Sequence, residues 1–413
     1  MPINPYLIAV IGILLGSCFL RLIIEVLNVN HLRTELPEGF ERVYDPERYR
    51  RSQEYLIDNT RFDVMESSVT TSFLVIFILA GGFNFVDMTA RRLGFGEILT
   101  GLAFAAMLVI VAVIWRLPFA WHRTFGIEGR YGFNRMDGRT FRIDIVKRLF
   151  LMAVIGGPVL ALVICFFAGA GSWAWVYCWA AAAAIHLFLV FVAPTILMPL
   201  FNRFEPLADG KLKESITRYA DEQGFAVGGI LTMDGYRRST KTNAFFVGFG
   251  RTRRIVLYDT LVDKHDPEEL VIILAHEMGH FKKKHVHKLI GFAILSMGLM
   301  FYILSLFINN ADLFSAFRMT HTSVYASLVF FGFIYGPIAA VLAIATNVVA
   351  RGFEFEADAF ASATYGNPEL LIRALKKLSV DNLTNLTPHP LKVFFEYSHP
   401  PVLERIRRLA REP

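Results

Sequence analysis

The chain carries little charge and few cysteines for its length. Of its 413 residues, 19% are Asp, Glu, Lys or Arg and three are cysteine. Three thiols are too few for the disulfide framework of a secreted protein, and those at positions 18, 165 and 178 all fall in apolar runs. We therefore interpret them as small packing residues rather than a disulfide or metal set. The low share of charge also argues against an ordinary soluble domain.

Apolar residues take the place of the missing charge. Hydrophobic residues make up 54% of the chain and aromatic residues 14%, and the mean hydropathy is +0.45. These values are typical of a protein that crosses a membrane several times. Seven runs reach the roughly 20 residues that a membrane-spanning helix needs. They cover 6–28, 67–87, 98–117, 148–170, 173–198, 289–309 and 323–350. The sequence predicts an all-α polytopic membrane protein with seven transmembrane helices.

Basic residues alternate between the connecting loops. The first loop (33–61), the third (123–148), the long fifth (200–288) and the tail after 350 are rich in Lys and Arg, and the other loops are poor in them. The positive-inside rule then places the rich loops and the C-terminus in the cytoplasm. The net charge of +6 therefore reflects membrane orientation, and we expect no nucleic-acid partner because the positive residues do not gather on one face.

The cytoplasmic fifth loop contains the motif HEMGH, with His276, Glu277 and His280. On a helix the two histidines lie four residues apart on one face, so both imidazoles can bind one metal ion, and zinc suits such ligands. Glu277 can accept a proton from a water that the metal activates. The residues 267–269, PEE, form a natural helix start. The alternative is a helix that carries two histidines on a polar face.

A second informative stretch, RGFEFEADAFA, follows the seventh apolar run and continues it as a helix. Glu354 and Asp358 lie four residues apart on one face. Two histidines and one glutamate are a common catalytic zinc set, so we expect Glu354 as the third ligand. Asp358 can accept a hydrogen bond from a ligand imidazole and fix its tautomer. Glu356 lies on another face and is predicted to be only solvated; the alternative is that all three carboxylates are.

The remainder of the fifth loop predicts a small α+β region. Residues 213–224 form an amphipathic pattern, and strand-like runs follow at about 228–233, 243–249 and 254–258. The second run, NAFFVGF, has aromatic residues on both faces. Two interpretations stay equal: an edge strand on which an extended substrate pairs, or an ordinary strand of a small sheet.

Near the end of the chain, His399 precedes Pro400 and Pro401 in YSHPPVLERI. Two prolines hold the turn rigid, and an imidazole close to the metal could stabilise the oxyanion of a tetrahedral intermediate. The residues alone, however, favour an ordinary surface histidine.

Six stretches in this order carry a family resemblance: GIEGRYGFN, PLFNRFEPL, TNAFFVGFG, LAHEMGHFKKKH, FEFEADAFA and YSHPPVLERI. Together with the seven apolar runs, they resemble integral-membrane zinc metalloproteases of the type I CAAX prenyl protease family. The likeness extends over most of the chain from the third loop onward. It implies one zinc ion per chain, held by His276, His280 and Glu354, with Glu277 as the catalytic acid and base.

The same resemblance implies further roles for residues that match the family's motifs. Asp358 lies near the metal within the catalytic set, and His399 assists at the scissile carbonyl. The implied substrate-binding residues are Asn243, Ala244, Phe245 and Phe246. The implied architecture is a helical barrel around an intramembrane chamber, with a small cytoplasmic α+β zinc-protease region. The implied substrates are prenylated CAAX-type or other membrane-associated peptides and proteins, cut near their C-terminus beside membrane lipid.

This architecture divides the chain into four expected segments. Transmembrane helices 1–5 with their loops occupy residues 1–200. The protease region, with its sheet and the HEMGH helix, occupies residues 201–288. Transmembrane helices 6 and 7 occupy residues 289–350, and a cytoplasmic C-terminal region occupies residues 351–413. The short loop at 310–322 and the ending LAREP, which lacks a retention signal, favour a bacterial inner membrane over the endoplasmic reticulum.

Two alternative functions remain open at this point. One is a quality-control zinc protease that cuts damaged membrane proteins with the same chemistry. The other is a non-enzymatic scaffold or transporter with a structural zinc, which is disfavoured because a structural site normally has four protein ligands and the sequence offers three.

Overall fold

A computed structural model describes residues 4–248 and 253–411 of the chain. Its helices are α1 (Pro5–Asn30), α2 (Pro46–Leu79), α3 (Gly82–Arg91), α4 (Glu97–Trp121), α5 (Glu128–Arg130), α6 (Gly138–Leu151), α7 (Gly157–Gly169), α8 (Ala174–Val192), α9 (Lys211–Glu222), α10 (Asp259–Val262), α11 (Pro267–Lys282), α12 (His285–Ser305), α13 (Ala311–Ala316), α14 (Val324–Tyr365), α15 (Pro368–Asp381), α16 (Pro390–Glu396) and α17 (Val402–Leu409). Its strands are β1 (Phe204–Pro206), β2 (Gly229–Met233), β3 (Ala244–Val247) and β4 (Arg254–Tyr258).

Seven helical segments are long and apolar enough to cross a membrane, which confirms the predicted polytopic helical fold. They are Pro5–Asn30, Pro46–Leu79, Glu97–Arg130, Gly138–Gly169, Gly171–Leu200, His285–Ser305 and Val324–Tyr365. Short π-helical turns join consecutive α-helices within the third and fourth segments. Each predicted apolar run lies largely within one of these segments.

The second segment differs most from its predicted bounds of 67–87. Helix α2 begins at Pro46, because a proline at the first helical position needs no backbone hydrogen bond and starts a helix well. It ends at Leu79, since Gly81 takes a left-handed conformation with φ 74° and turns the chain into α3. The polar residues before the apolar run therefore lengthen the helix, and the last predicted residues belong to the next one.

The membrane segments form a closed ring. Neighbours pack in the order α1, α2, α4, α7, α8, α12, α14, and α14 returns to α1. Phe73 of α2 stacks on Trp115 of α4 with ring centroids 4.0 Å apart. Only 0–17% of the residues in each apolar window are buried, so the inner faces of the ring do not fill a common core. This is the packing that a helical barrel around a chamber requires.

An apolar cluster closes the ring at the end away from the protease region. Phe104 of α4 packs on Tyr325 of α14, and Phe317 stacks on Phe330 at 3.9 Å. The Tyr325 hydroxyl donates a 2.6 Å hydrogen bond to the buried carboxylate of Asp87 on α3. Helix α14, the seventh membrane segment, therefore crosses the ring at this end and contacts α4 and α7 of the third and fourth segments.

The protease region covers the other end and contains the sheet and α11. The sheet order is β1-β2-β4-β3, with β2 parallel to β4 and the outer two strands antiparallel, so β3 is an edge strand. The predicted strand run 243–249 extends past β3 to residue 249, which lies outside the described residues. The predicted amphipathic helix is α9, which packs on α11.

Helix α11 is buried along most of its length, and this positions the HEMGH motif. A capping box begins the helix. The Asp266 side chain accepts a hydrogen bond from the Glu269 backbone N–H, and the Glu269 carboxylate accepts one from the Asp266 backbone N–H. The apolar residues of LVIILA are all buried, against α9, α14 and α15. A helix fixed on three sides holds its two histidines in one orientation.

Helix α14 connects the membrane ring to the protease region. It runs without interruption for 42 residues, as the sequence predicted for the stretch after the seventh apolar run. Ser323 caps its N-terminus, and Gly366 ends it in the left-handed conformation that favours glycine. Its last turns lie beside α11 and deliver Glu354 and Asp358 to the HEMGH motif.

Candidate active site

Three side chains from two helices converge at one point. His276 Nε2 and His280 Nε2 lie 3.1 Å apart, and they lie 3.4 and 3.3 Å from the two carboxylate oxygens of Glu354. The close packing of α11 on α14 depends on Gly279, where a Cβ would lie 3.0 Å from the Ala357 Cα. The helices therefore approach closely enough for all three side chains to meet.

The donor set fits a metal ion. Glu354 Oε2 is buried and has no hydrogen-bond partner among the described residues, although His276 and Arg405 each place a nitrogen 3.4 Å from it. Two imidazole nitrogens facing each other and a carboxylate present converging lone pairs, which only a cation or protons can satisfy. Bonds of 2.0–2.1 Å in a tetrahedral zinc site place ligand atoms roughly 3.3–3.4 Å apart, close to the separations here.

Asp358 holds His276 from the side opposite the ligand cluster. Its Oδ1 lies 2.8 Å from His276 Nδ1, so the imidazole keeps its proton on Nδ1 and its lone pair on Nε2. Burial alone lowers the pKa of His276, but hydrogen bonds to Asp358 and Glu354 outweigh it and raise that pKa to about 9. A metal ion at this point must therefore displace a tightly held proton.

Arg405 of α17 completes this arrangement and was missed from the sequence. Its guanidinium donates two hydrogen bonds to Asp358, at 2.8 and 2.6 Å, although burial opposes its charge. A usable signal was present, because Val402, Arg405 and Leu409 share one helical face and the two apolar members are buried.

Glu277 lies beside the ligand cluster in a cavity of about 400 Å³. The cavity is also lined by His276, His280, Glu354 and His399. Burial raises the pKa of Glu277 above its ordinary value, and the two neighbouring imidazoles act in the opposite direction. A buried carboxylate with a raised pKa in a cavity beside the ligand cluster is suited to accept and return a proton.

His399 reaches the same cavity from the loop after α16. Its Nε2 lies 3.3 Å from Glu354 Oε1, while 67% of its side chain is exposed. Arg351 of α14 fixes this loop, since it donates to the backbone carbonyls of Val393 and Tyr397 at the end of α16. The histidine is therefore both exposed and at the site, so the surface interpretation favoured by the residues alone was incomplete.

Comparisons with known proteins agree with this geometry. Residues 25–203 match the family described as CAAX prenyl protease N-terminal, five membrane helices, and residues 206–412 match peptidase family M48. The chain belongs to peptidase family M48. It is 33% identical to a CAAX prenyl protease 1 homolog of Arabidopsis thaliana over 99% of this chain and 98% of that protein.

More distant relatives and a solved structure extend the likeness. The chain is 28% identical to CAAX prenyl protease 1 of Saccharomyces cerevisiae over 91% of this chain and 88% of that protein. The crystal structure of S. mikatae Ste24p matches with a TM-score of 0.93 and 27% identity, covering 99% of this chain and 100% of that one. The chain is therefore a multi-pass membrane metalloendopeptidase, and the non-enzymatic scaffold or transporter is excluded.

Of the four residues implied to bind substrate, two line the cavity and two have rings that pack elsewhere. Asn243 and Ala244 line the cavity at the start of the edge strand. The rings of Phe245 and Phe246 instead pack within the protease region, 6.1 Å from Tyr258 and 5.2 Å from Phe225 respectively. Substrate binding along β3 stays a prediction.

The prediction that Glu356 is only solvated was wrong. Its carboxylate oxygen lies 3.1 Å from Nε2 of His285, the buried first residue of α12. The other ring nitrogen of His285 lies 3.1 Å from His280 Nδ1. Glu356 does face away from the ligand cluster, as its helical position predicted, but α12 begins on that side and supplies a partner.

Proposed function

We propose that this chain is a zinc endopeptidase that cuts prenylated CAAX-type or other membrane-associated peptides near their C-terminus. The observation that carries the proposal is the convergence of His276, His280 and Glu354 in a cavity where α11 meets the end of the longest membrane helix. The printed names of the plant and yeast relatives, which call them CAAX prenyl proteases, support the substrate class.

Zinc is the metal that this donor set favours. Two imidazoles and one carboxylate are typical ligands of catalytic zinc, which keeps a fourth position for water or substrate. When bound, the ion supplies a Lewis acid that lowers the pKa of water and polarises the substrate carbonyl. Asp358, held by Arg405, binds the Nδ1 side of His276, so that in the neutral imidazole the proton is on Nδ1 and the lone pair of Nε2 faces the metal position.

Glu277 is the residue that we propose transfers the protons. We infer that its carboxylate accepts the proton of the attacking water and later donates it to the departing amide nitrogen. His399 lies on the open side of Glu354, from where its Nε2–H can donate to the oxyanion of the tetrahedral intermediate. Asp358 touches His276 and not the substrate, so we assign it a positioning role rather than a direct chemical one.

The cavity also suits an extended peptide that emerges from the membrane. Asn243 and Ala244 begin the edge strand on one side, and the apolar side chains of Val286 and Leu289 on α12 line another side. An unpaired strand edge can bind a substrate backbone whatever its sequence, and an apolar wall suits a lipid-modified side chain. The basic loops favour a cytoplasmic location for this cavity.

The compartment and the division of the chain stay proposals. The four segments 1–200, 201–288, 289–350 and 351–413 are retained, with the bacterial inner membrane as the predicted location and the endoplasmic reticulum as the alternative. The plant relative is nearly as long as this chain, since the alignment covers 98% of it and 99% of this one. Chain length therefore gives no further support to the predicted bacterial location.

A matched pair of peptides tests the substrate class. Purified protein in detergent or proteoliposomes is given a peptide ending in a CAAX sequence, either farnesylated on its cysteine or unmodified, and the products are identified by mass. We expect kcat/KM to be at least about tenfold higher for the farnesylated peptide, a difference of about 1.4 kcal/mol in transition-state binding. Protein in which both motif histidines are replaced, His276→Ala with His280→Ala, is prepared in parallel and measures any contaminating protease.

The same experiment separates the quality-control alternative. Equal turnover of both peptides, together with cleavage of unfolded membrane segments, would favour a quality-control protease with the same zinc chemistry. Absence of cleavage of either peptide by protein that has its metal would contradict the proposed substrate class.

A further inference from the structure

The second metal-binding histidine has its own hydrogen-bonded support, built from residues outside the HEMGH motif. His280 Nδ1 lies 3.1 Å from His285 Nδ1, and His285 Nε2 lies 3.1 Å from Glu356 Oε2. The three residues come from three helices: α11, α12 and α14. A continuous chain of contacts therefore leads from the ligand cluster to the protein surface, where Glu356 is half-exposed.

Only one distribution of protons satisfies every atom of this chain. His280 Nε2 faces His276 and Glu354 and needs its lone pair there to bind a metal, so the His280 proton is on Nδ1. That N–H donates to His285 Nδ1, which must be the accepting nitrogen. The remaining His285 proton is then on Nε2 and donates to the Glu356 carboxylate.

His285 is itself held in one orientation. Its side chain is 1% exposed, and its ring stacks on that of Phe353 with centroids 4.1 Å apart and planes within 5°. The preceding Lys284 adopts a left-handed conformation with φ 57°, uncommon for a residue with a side chain. This turn allows α12 to begin immediately beside the end of α11, so that its first side chain reaches back to His280.

We propose that His285 is a positioning residue that fixes the tautomer and ring orientation of His280, with Glu356 as the terminal acceptor. Each metal-binding imidazole is then supported by a carboxylate: His276 by Asp358 directly, and His280 by Glu356 through His285. The inference rests on the metal site of the proposed function. It adds that metal affinity depends on the first turn of a membrane-spanning helix.

Two substitutions separate the hydrogen bond from the packing. His285→Phe keeps a flat ring against Phe353 and removes both nitrogens. His285→Asn keeps an acceptor near the position of Nδ1 and loses the stacking and the contact with Glu356. His321→Phe, at an exposed position before α14, is the matched control. The readout is the equilibrium affinity for Zn²⁺ by chelator competition in full-length detergent-solubilised protein, with the melting temperature recorded for each variant.

We expect His285→Phe to bind Zn²⁺ about 10- to 100-fold more weakly, as is usual when the outer partner of a metal-binding histidine is lost. His285→Asn should stay within about threefold of the native affinity, since it retains the acceptor that fixes the tautomer. The control should not change. A folded His285→Phe protein with native affinity would overturn the inference, as would an asparagine variant that binds as weakly as the phenylalanine variant.

These outcomes are distinct from failure of the proposed function. Native protein that binds no Zn²⁺ would overturn the metal site and this inference together. Native protein that binds Zn²⁺ and cleaves peptide, with His285→Phe unchanged in affinity, would overturn only the role of His285.

Discussion

The Arg405 guanidinium donates to both carboxylate oxygens of Asp358, at 2.8 and 2.6 Å, in a largely buried site. Lysine in place of Arg405 keeps the positive charge but cannot make the same paired contact, because its ammonium lacks the planar fork of the guanidinium. We predict that Arg405→Lys weakens Zn²⁺ binding about 10- to 100-fold, because Asp358 then no longer holds His276 in place. Chelator competition measures the change.

The neighbouring Arg407 provides the control for this prediction, since it is exposed on the same helix. Arg407→Lys should retain native affinity and native melting temperature. If Arg405→Lys also binds Zn²⁺ with native affinity, the guanidinium has no part in orienting His276.

Glu354 is the predicted ligand from outside the HEMGH motif. We predict that Glu354→Gln is purified with little or no zinc, because a neutral amide replaces the only carboxylate among the three ligands. Metal analysis of the purified protein checks this, with Glu222→Gln on an exposed face of α9 as control. A full equivalent of zinc in Glu354→Gln would mean that another residue completes the site.

The ionised, buried carboxylate of Glu269 should make the stability of the fold depend on pH. Burial alone raises its pKa, but the Lys377 ammonium and the Asp266 N–H lower it below 4.5 overall. A folded-state pKa below the unfolded one stabilises the fold above the unfolded pKa, and this contribution is lost as the pH falls through the folded pKa. The loss should therefore begin below about pH 4.5.

The measurement is the melting temperature of native protein and Glu269→Gln between pH 7 and pH 3. At pH 7 the variant should be destabilised by about 1–3 kcal/mol, the usual cost of an unsatisfied buried group. The difference should shrink as the pH falls below about 4.5. Glu268→Gln is the control, as Glu268 lies next to Glu269 in the first turn of α11 but is exposed. A difference that stays constant with pH would rule out the ionised carboxylate as its source.

Substitution of His399 should slow catalysis without loss of the metal. We expect His399→Ala to lower kcat about 100- to 1,000-fold, the usual effect of removing one donor to an oxyanion. Zinc content should stay native, since His399 is not among the three proposed ligands. Steady-state kinetics with metal analysis of the same sample test both statements, and a rise in KM with unchanged kcat would instead indicate a role in substrate binding.

The parts of the site that lie close together along the helix could be predicted from the sequence. The spacing of His276 and His280, and of Glu354 and Asp358, follows directly from the helical repeat. The seven membrane segments could be predicted because a bilayer requires long apolar helices. In each case a local periodicity decides the structure, and the family resemblance linked the two helices.

Contacts between remote segments could not be predicted in the same way. Arg405 comes from α17 and reaches His276, which precedes it by 129 residues. His285 follows the motif closely, but its use depends on the left-handed turn at Lys284, which the lysine-rich sequence does not indicate. The interpretation of Glu356 failed for the same reason, because its partner belongs to another helix.

The central claim is that Glu277 transfers the proton at a metal held by His276, His280 and Glu354. The most direct test measures zinc content and peptide cleavage in a single preparation of Glu277→Gln. We predict that the variant binds a full equivalent of zinc and that its kcat falls about 100- to 10,000-fold, the usual contribution of a general base. Cleavage at the native rate by zinc-loaded Glu277→Gln, free of contaminating protease, would contradict this account.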